Sequence, residues 1–327
     1  MSKVVVVTGG SAGVGRATVR AFADRGYDVA VLARGTDGLE AARREVEAAG
    51  GRGLAIPVDI ADADAVEQAA QRTEDELGPI DVWVNNAMVT IFARLQDIEP
   101  EEFRRATEVT YLGTVWGTMS ALRRMRPRDR GTVVQVGSAL AYRGIPLQSP
   151  YCGAKHAIQG FTDSIRTELL NEHSRVHVTM VQMPALNTPQ FSWCRSRMGR
   201  ESQPVPPIFQ PEVAAEAIVW SAEHRKRELW VGMPTVKAIV ANGISALAVD
   251  HYLGRKGVSA QLLNEPLPSG RKDNLFEPVP GDHGAHGAFD GDAKPVSRQL
   301  EASLNRRAIA AAAAGGAIAV RALRRKG

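Results

Sequence analysis

A strand that runs straight into a glycine-rich turn opens this chain. Lys3-Val4-Val5-Val6-Val7 is a short apolar, β-branched run, which reads as a buried strand. Thr8-Gly9-Gly10-Ser11-Ala12-Gly13-Val14-Gly15 follows at once. Gly9, Gly13 and Gly15 let the backbone turn tightly and approach a pyrophosphate, which rests on the N-terminus of a helix opening near Gly13. Glycine clusters also mark ordinary turns with no ligand. The position between a first strand and a helix is what gives this one a dinucleotide reading, with Ser11 and Val14 inside the turn.

Strand and helix signals alternate downstream. Leu39, Ala42, Val46 and Ala49 repeat at helical spacing between a strand over Val29 to Ala33 and another over Leu54 to Val58. Helical patterns run from Glu101 to Met125 and from Tyr151 to Leu170. A strand over Val176 to Met183, a helix over Val213 to Ala222 and a strand over Glu228 to Val231 complete the series. Such alternation predicts an α/β fold with a doubly wound parallel sheet, Rossmann-like, followed by a C-terminal extension.

Ser138, Tyr151 and Lys155 carry the chemistry. In Tyr151-Cys152-Gly153-Ala154-Lys155 the phenol and the amine are four residues apart, so on a helix they project from one face. An ammonium beside a phenol favours the phenolate and lowers a pKa that starts near ~10. Ser138 ends the run Thr132-Val133-Val134-Gln135-Val136, a strand C-terminus, where the mouth of an open α/β sheet lies. Its hydroxyl is placed to bind a substrate oxygen.

Over about the first 235 residues these motifs resemble the short-chain dehydrogenase/reductase family, in its single-domain branch. The resemblance assigns Ser138 to the substrate oxygen, Tyr151 to acid/base catalysis, and Lys155 to the nicotinamide ribose and the tyrosine pKa. It places Asn86 and Ala87 of Asn85-Asn86-Ala87, after the strand Val82-Trp83-Val84, at the cofactor site. Three positions depart from the family pattern. Met88 stands where glycine is usual. Thr110, opening Thr110-Tyr111-Leu112-Gly113, holds the place of the fourth catalytic residue, an asparagine. Ala185 replaces a glycine after Pro184, while Thr188 is retained to bond the carboxamide. The resemblance further implies a homodimer or homotetramer.

At the end of the second strand an NAD site needs an acid for the ribose 2′-hydroxyl, whereas an arginine there welcomes a 2′-phosphate. Ala33 holds the acid's place and Arg34 follows, so the expected cofactor is NADP over NAD. Asp59 matches the family's adenine-binding position, or caps the helix that begins near Ala61. The expected activity is hydride transfer between nicotinamide and a carbonyl or alcohol. Phe191 and Trp193 either line an apolar pocket or pack their loop down; with Met88, Leu140 and Tyr142 they favour an apolar or aromatic substrate, and Arg195 and Arg197 are either solvated or attract an acidic group. A catalytically impaired dinucleotide-binding regulatory or scaffold protein is the alternative, since Thr110 and Ala185 permit lost turnover.

Composition agrees with a globular chain of one sheet domain plus a tail: 327 residues, 44% apolar and 23% charged. Two cysteines, Cys152 and Cys194, are too few for a disulfide framework, and no secretory signal is apparent, so a cytoplasmic protein is expected. The division is a family domain over 1–235, a helical extension over 236–262 and an irregular tail over 263–327. In the tail, His283 and His286 with Asp290 and Asp292 lack regular ligand spacing, and no metal is expected. Ala308 to Val320 reads as an Ala-rich helix with basic flanks, shorter than the ~20 residues of a membrane span but suited to peripheral contact with anionic lipid. The net charge of +4 arises largely there, so nucleic-acid binding is not implied.

Overall fold

The computed structural model describes residues 2–305. Seven strands form one sheet: β1 (Val4–Thr8), β2 (Asp28–Ala33), β3 (Gly53–Pro57), β4 (Ile80–Asn85), β5 (Thr132–Ser138), β6 (His177–Met183) and β7 (Glu228–Trp230). Their order is β7-β6-β5-β4-β1-β2-β3, and every pairing is parallel. Between them run α1 (Gly13–Ala23), α2 (Thr36–Ala48), α3 (Ala63–Leu77), α4 (Pro100–Thr107), α5 (Gly113–Met125), α6 (Ser149–Asn171) and α7 (Pro211–Glu223).

The valine runs explain the layering. Successive strand residues face opposite sides, so a sheet covered on both faces requires continuous apolar strands. In β1, Val4 and Val6 join the core beneath α3, α5 and α6 with Val66, Ala121 and Ile165. Val5 and Val7 join the opposite core with Val19 and Phe22 of α1, Leu39 of α2 and Ile218 of α7. From β1 the chain moves to β2 on one side, while β4 lies on the other. The crevice at this reversal, at the C-terminal ends of the strands, is where a doubly wound sheet takes its ligand.

Two expected helices are each divided. The pattern from Glu101 to Met125 forms α4 and α5 joined by one wider π-turn, Glu108–Leu112. The pattern from Val236 to Leu253 forms α8 (Gly232–Ile244) and α9 (Ala246–Lys256), broken at Ser245, whose hydroxyl accepts from Ala248 N–H at 3.3 Å and caps the second helix. Residues 267–292 have almost no regular structure, yet Leu275 and Ala285 within them are buried. A last helix, α10 (Arg298–Leu304), sends Leu300 into the core. The Ala308 to Val320 segment lies outside the described residues.

Candidate active site

A cavity of about 520 Å³ opens at the C-terminal ends of the strands, within the roughly 300–1,000 Å³ typical of ligand pockets. Gly9, Ser11, Gly13, Val14, Arg34, Asp59, Asn86 and Ala87 line one part of it, and Ser138, Tyr151, Lys155, Pro184 and Thr188 line another. Of the catalytic and cofactor-binding residues expected from sequence, only Gly15 and Thr110 stand behind the walls.

The glycine turn is shaped by close approach. Gly9 has φ +65°, and a Cβ there would stand 2.8 Å from Ala87 Cα. A Cβ on Gly15 would meet the Gly9 carbonyl oxygen at 2.1 Å, so Gly15 serves by letting α1 press on the turn. Asn86 fixes the same turn from β4: its amide donates to the Thr8 carbonyl at 2.9 Å, and its backbone N–H donates to the Thr8 hydroxyl at 3.0 Å. Asn85 lies inside, bonding Thr118 at 3.0 Å and Gln135 at 2.9 Å and accepting from Trp83 at 2.8 Å. Backbone groups and a helix N-terminus therefore face the cavity where a pyrophosphate would rest, and the residues present fit a dinucleotide.

On α6, the Lys155 amine lies 5.4 Å from the centre of the Tyr151 ring, as the one-turn spacing requires. Lys155 is buried and donates to the Val136 carbonyl at 2.6 Å. Burial lowers its pKa to about 8. The Tyr151 phenol, deep in the cavity, is pushed up from its ordinary value by burial, with the Ser138 hydroxyl opposing. The expected lowering of the phenol by the amine is outweighed, because burial disfavours the phenolate more than its neighbours favour it. Ser138 caps a short helical turn, its Oγ accepting from Leu140 N–H at 3.1 Å.

Thr110 sits on the π-turn, fully buried. Its hydroxyl accepts from Val89 N–H at 3.2 Å and donates to the Val89 carbonyl at 3.1 Å. It ties the π-turn to the segment after β4 and does not reach the cavity.

At the other end, Asp59 lines the cavity and accepts from Ala61 N–H at 3.0 Å, while the cap of α3 is not Asp59 but Asp62, whose carboxylate accepts from Asp64 and Ala65 N–H. Its second oxygen pairs with Arg105. The Arg34 guanidinium donates to the carbonyls of Asn274, Leu275 (3.4 Å) and Phe276 (2.7 Å). Burial lowers its pKa, partly offset by Asp59 and reinforced by Arg105. Residues from the tail thus enter the wall, among them Asn274, Pro278, Val279, Gly281 and His283. Sequence reasoning passed over them because their partners are main-chain atoms and distant side chains, which leave no local pattern.

Towards the substrate side, Met88, Leu140, Ile145, Phe191, Trp193 and Leu253 give the cavity an apolar wall. Tyr142 is not part of it, since its hydroxyl donates to Glu228 at 2.8 Å. Nor do Arg195 and Arg197 line it: both bind the buried Glu102, at 2.5 and 2.6 Å, with Arg195 half-buried and Arg197 still exposed to solvent. Burial would raise the Glu102 carboxyl, but hydrogen bonds from Arg197 and Arg195 hold it below its usual value. His283 packs edge-on against Trp193, and His286 bonds Glu212 at 2.9 Å. Among the described residues no group of three or more His, Cys, Asp or Glu could hold a metal, and no helix is long and apolar enough to cross a membrane.

Comparison with known proteins agrees with this geometry. A family model for short chain dehydrogenases matches residues 3–197. The chain is 30% identical over 285 residues to the uncharacterized oxidoreductase YxnA of Bacillus subtilis, covering 86% of this chain and 80% of that one. Its structure resembles a short-chain dehydrogenase from Streptomyces avermitilis, with TM-score 0.66, 26% identity, and 78% and 97% of the two chains covered. It also resembles an alcohol dehydrogenase from the archaeon Thermococcus sibiricus complexed with 5-hydroxy-NADP, with TM-score 0.60, 27% identity, and 71% and 96% covered.

Proposed function

The chain belongs to the short-chain dehydrogenase family, and from that premise we propose that it is an NADP-dependent oxidoreductase acting on an apolar or aromatic carbonyl or alcohol. The observation that carries the reading is the convergence of Ser138, Tyr151 and Lys155 on one cavity whose far wall is the glycine turn. A bound nicotinamide dinucleotide would supply or accept the hydride. The Ser138 hydroxyl holds the substrate oxygen, and Tyr151 exchanges a proton with it at Oη. With its pKa raised, the phenol keeps its proton at neutral pH and is set to give it to a carbonyl oxygen. Lys155 lies beside Tyr151, where it would meet the nicotinamide ribose, and Thr188 would meet the carboxamide. Thr110 positions the wall through Val89.

Support for NADP comes from Ala33, which offers no carboxylate, and from the positive charge of Arg34 at the cavity wall with Arg105 beside it. The apolar wall around Met88, Phe191 and Trp193 favours an apolar substrate. Phe103, Met119 and Leu170 expose apolar surface on α4, α5 and α6. That surface favours a homo-oligomer, and cytoplasmic placement with tail contact to anionic lipid completes the reading.

A panel of aromatic and long-chain ketones and alcohols, assayed with NADPH, NADH and their oxidised forms, tests the function. Turnover with the phosphorylated cofactor is expected. Cofactor binding without turnover across the whole panel would replace the enzyme by a dinucleotide-binding scaffold.

A further inference from the structure

Residues 271–290 cross the mouth of the cavity with almost no regular structure, yet they are fastened every few residues. Arg271 donates to the Phe191 carbonyl at 2.9 Å, and Asp273 accepts from Arg195 at 2.9 Å. The Leu275 side chain is wholly buried in the core below. Gly281 N–H donates to Asp37 at 2.9 Å, and Asp282 pairs with the buried Arg16 at 3.1 Å. The Gly284 carbonyl accepts the Gly13 N–H at 3.0 Å, at the start of α1. Phe289 N–H donates to Asn187 at 3.0 Å. The segment is a strap laid over the cavity.

Asn274 is the residue of this strap with something left to bind. Its backbone is fixed on both sides: the N–H donates to the Trp193 carbonyl at 3.0 Å and the carbonyl accepts from Arg34. The residue lines the cavity, and its side-chain Oδ1 is buried with no hydrogen-bond donor among the described residues. Buried acceptors without a partner are rare, because an acceptor removed from water and left unpaired is destabilising. Of the buried polar atoms without a partner among the described residues, this is the one on the strap at the cavity wall, where a donor on a ligand would satisfy it. The donor's identity follows from place. Arg34 follows β2 and Asp59 follows β3, and Arg105 joins Asp59 to the Leu275 carbonyl at 3.2 Å. Asn274 therefore stands over the ends of β2 and β3, the side of the crevice that takes the adenosine half of a dinucleotide.

We propose that Asn274 is a cofactor-binding residue, contributed by the strap, whose Oδ1 accepts a hydrogen bond from an amino or hydroxyl donor on the adenosine half of the cofactor. The inference rests on the dinucleotide reading above and extends the cofactor site some 75 residues past the part of the chain matched by the family model.

Isothermal titration of the full chain with NADPH, with adenosine 2′,5′-bisphosphate and with nicotinamide mononucleotide tests it. Asn274→Leu should weaken NADPH and the bisphosphate by the same factor, about threefold to tenfold for one neutral hydrogen bond. The mononucleotide should be unaffected. The hypoxanthine analogue of NADPH separates the two donors: if the adenine amine is the partner, wild type and Asn274→Leu bind the analogue equally, and if a ribose hydroxyl is, the difference persists. Thermal melting of the ligand-free variant should be unchanged or raised, because the Oδ1 bonds nothing in the chain; a residue that merely holds the strap would lower it. Unchanged affinity for NADPH and the bisphosphate overturns the assignment. If the wild type binds no nicotinamide dinucleotide at all, the proposed function falls first and the assignment with it.

Discussion

At the Ser138 end of the cleft, titratable groups are stripped of water and their charged forms are disfavoured, whereas at the Arg34 end charge is kept and answered atom by atom. Tyr151 is pushed towards its neutral form and Lys155 down to about 8, with one carbonyl as the amine's partner. Arg34, Arg105 and Asp59 instead sit among ion pairs and main-chain carbonyls. The difference separates two tasks. Burial brings the two forms of Lys155 closer in energy near neutral pH and keeps the Tyr151 phenol in its protonated form. Holding an anionic ligand needs a charge that never titrates, which guanidinium provides.

The largest effect belongs to the dry end. Tyr151→Phe should keep NADPH affinity but lower kcat by 10²-fold or more, since general acid–base catalysis contributes about 10²–10⁴. Steady-state kinetics with a parallel binding titration checks this, and full turnover in the variant would remove Tyr151 from the mechanism.

Lys155→Met probes the same burial through pH. The folded chain binds the Lys155 proton more weakly than the unfolded chain does, so this residue disfavours folding below pH 8, and the penalty fades as pH rises to 10.5. With each pKa unit worth about 1.4 kcal/mol, the stability of the ligand-free variant relative to wild type should fall by about 3 kcal/mol between pH 7 and pH 10.5. Denaturant unfolding at both pH values measures it; a pH-independent difference would mean that the amine is not desolvated.

Arg34→Ala addresses the charged end. It should weaken NADPH about ten- to hundredfold while sparing NADH, the value of a charged hydrogen bond to phosphate. Equal losses for both cofactors would show that Arg34 serves only to hold the carbonyls of residues 274–276.

Behind the dry end, Thr110→Val should cost about 1–3 kcal/mol of stability, because the buried Val89 N–H loses its acceptor. Chemical denaturation reads this directly. The smallest effect is expected for Asp282→Ala, which removes a half-exposed partner from Arg16 while Glu45 still holds that guanidinium at 2.6 Å. A change of at most about 1 kcal/mol in stability is expected, with NADPH release faster by only a few-fold in stopped-flow fluorescence.

The two ends also differ in how far they could be read from sequence. Tyr151 and Lys155 are four apart on one helix, and Gly9 follows its strand directly, so local geometry alone brings them to the cavity. The parallel sheet was legible for the same reason, through the uninterrupted valines of β1. Arg195 and Arg197 could not be placed: their partner, Glu102, lies on α4, more than 90 residues away. Asn274 and Leu275 fall in a Pro- and Gly-rich stretch that carries no periodicity, and what pins them is the Arg34 guanidinium on their carbonyls, which any residue type would offer. Ser297 likewise falls in the stretch read as an irregular tail, yet its hydroxyl caps α10 and positions the buried Leu300.

The strap has a consequence for assembly. Arg16 and Asp282 meet across 266 positions of sequence, so the contact closes one of the longest loops in the chain, and long-range closures form late. During synthesis the sheet and its glycine turn can fold while the last residues are still being made, leaving the crevice uncovered until the strap arrives. In refolding experiments, tryptophan fluorescence reporting core formation should therefore recover before NADPH binding does. Simultaneous recovery of the two signals would mean that the uncovered crevice already binds.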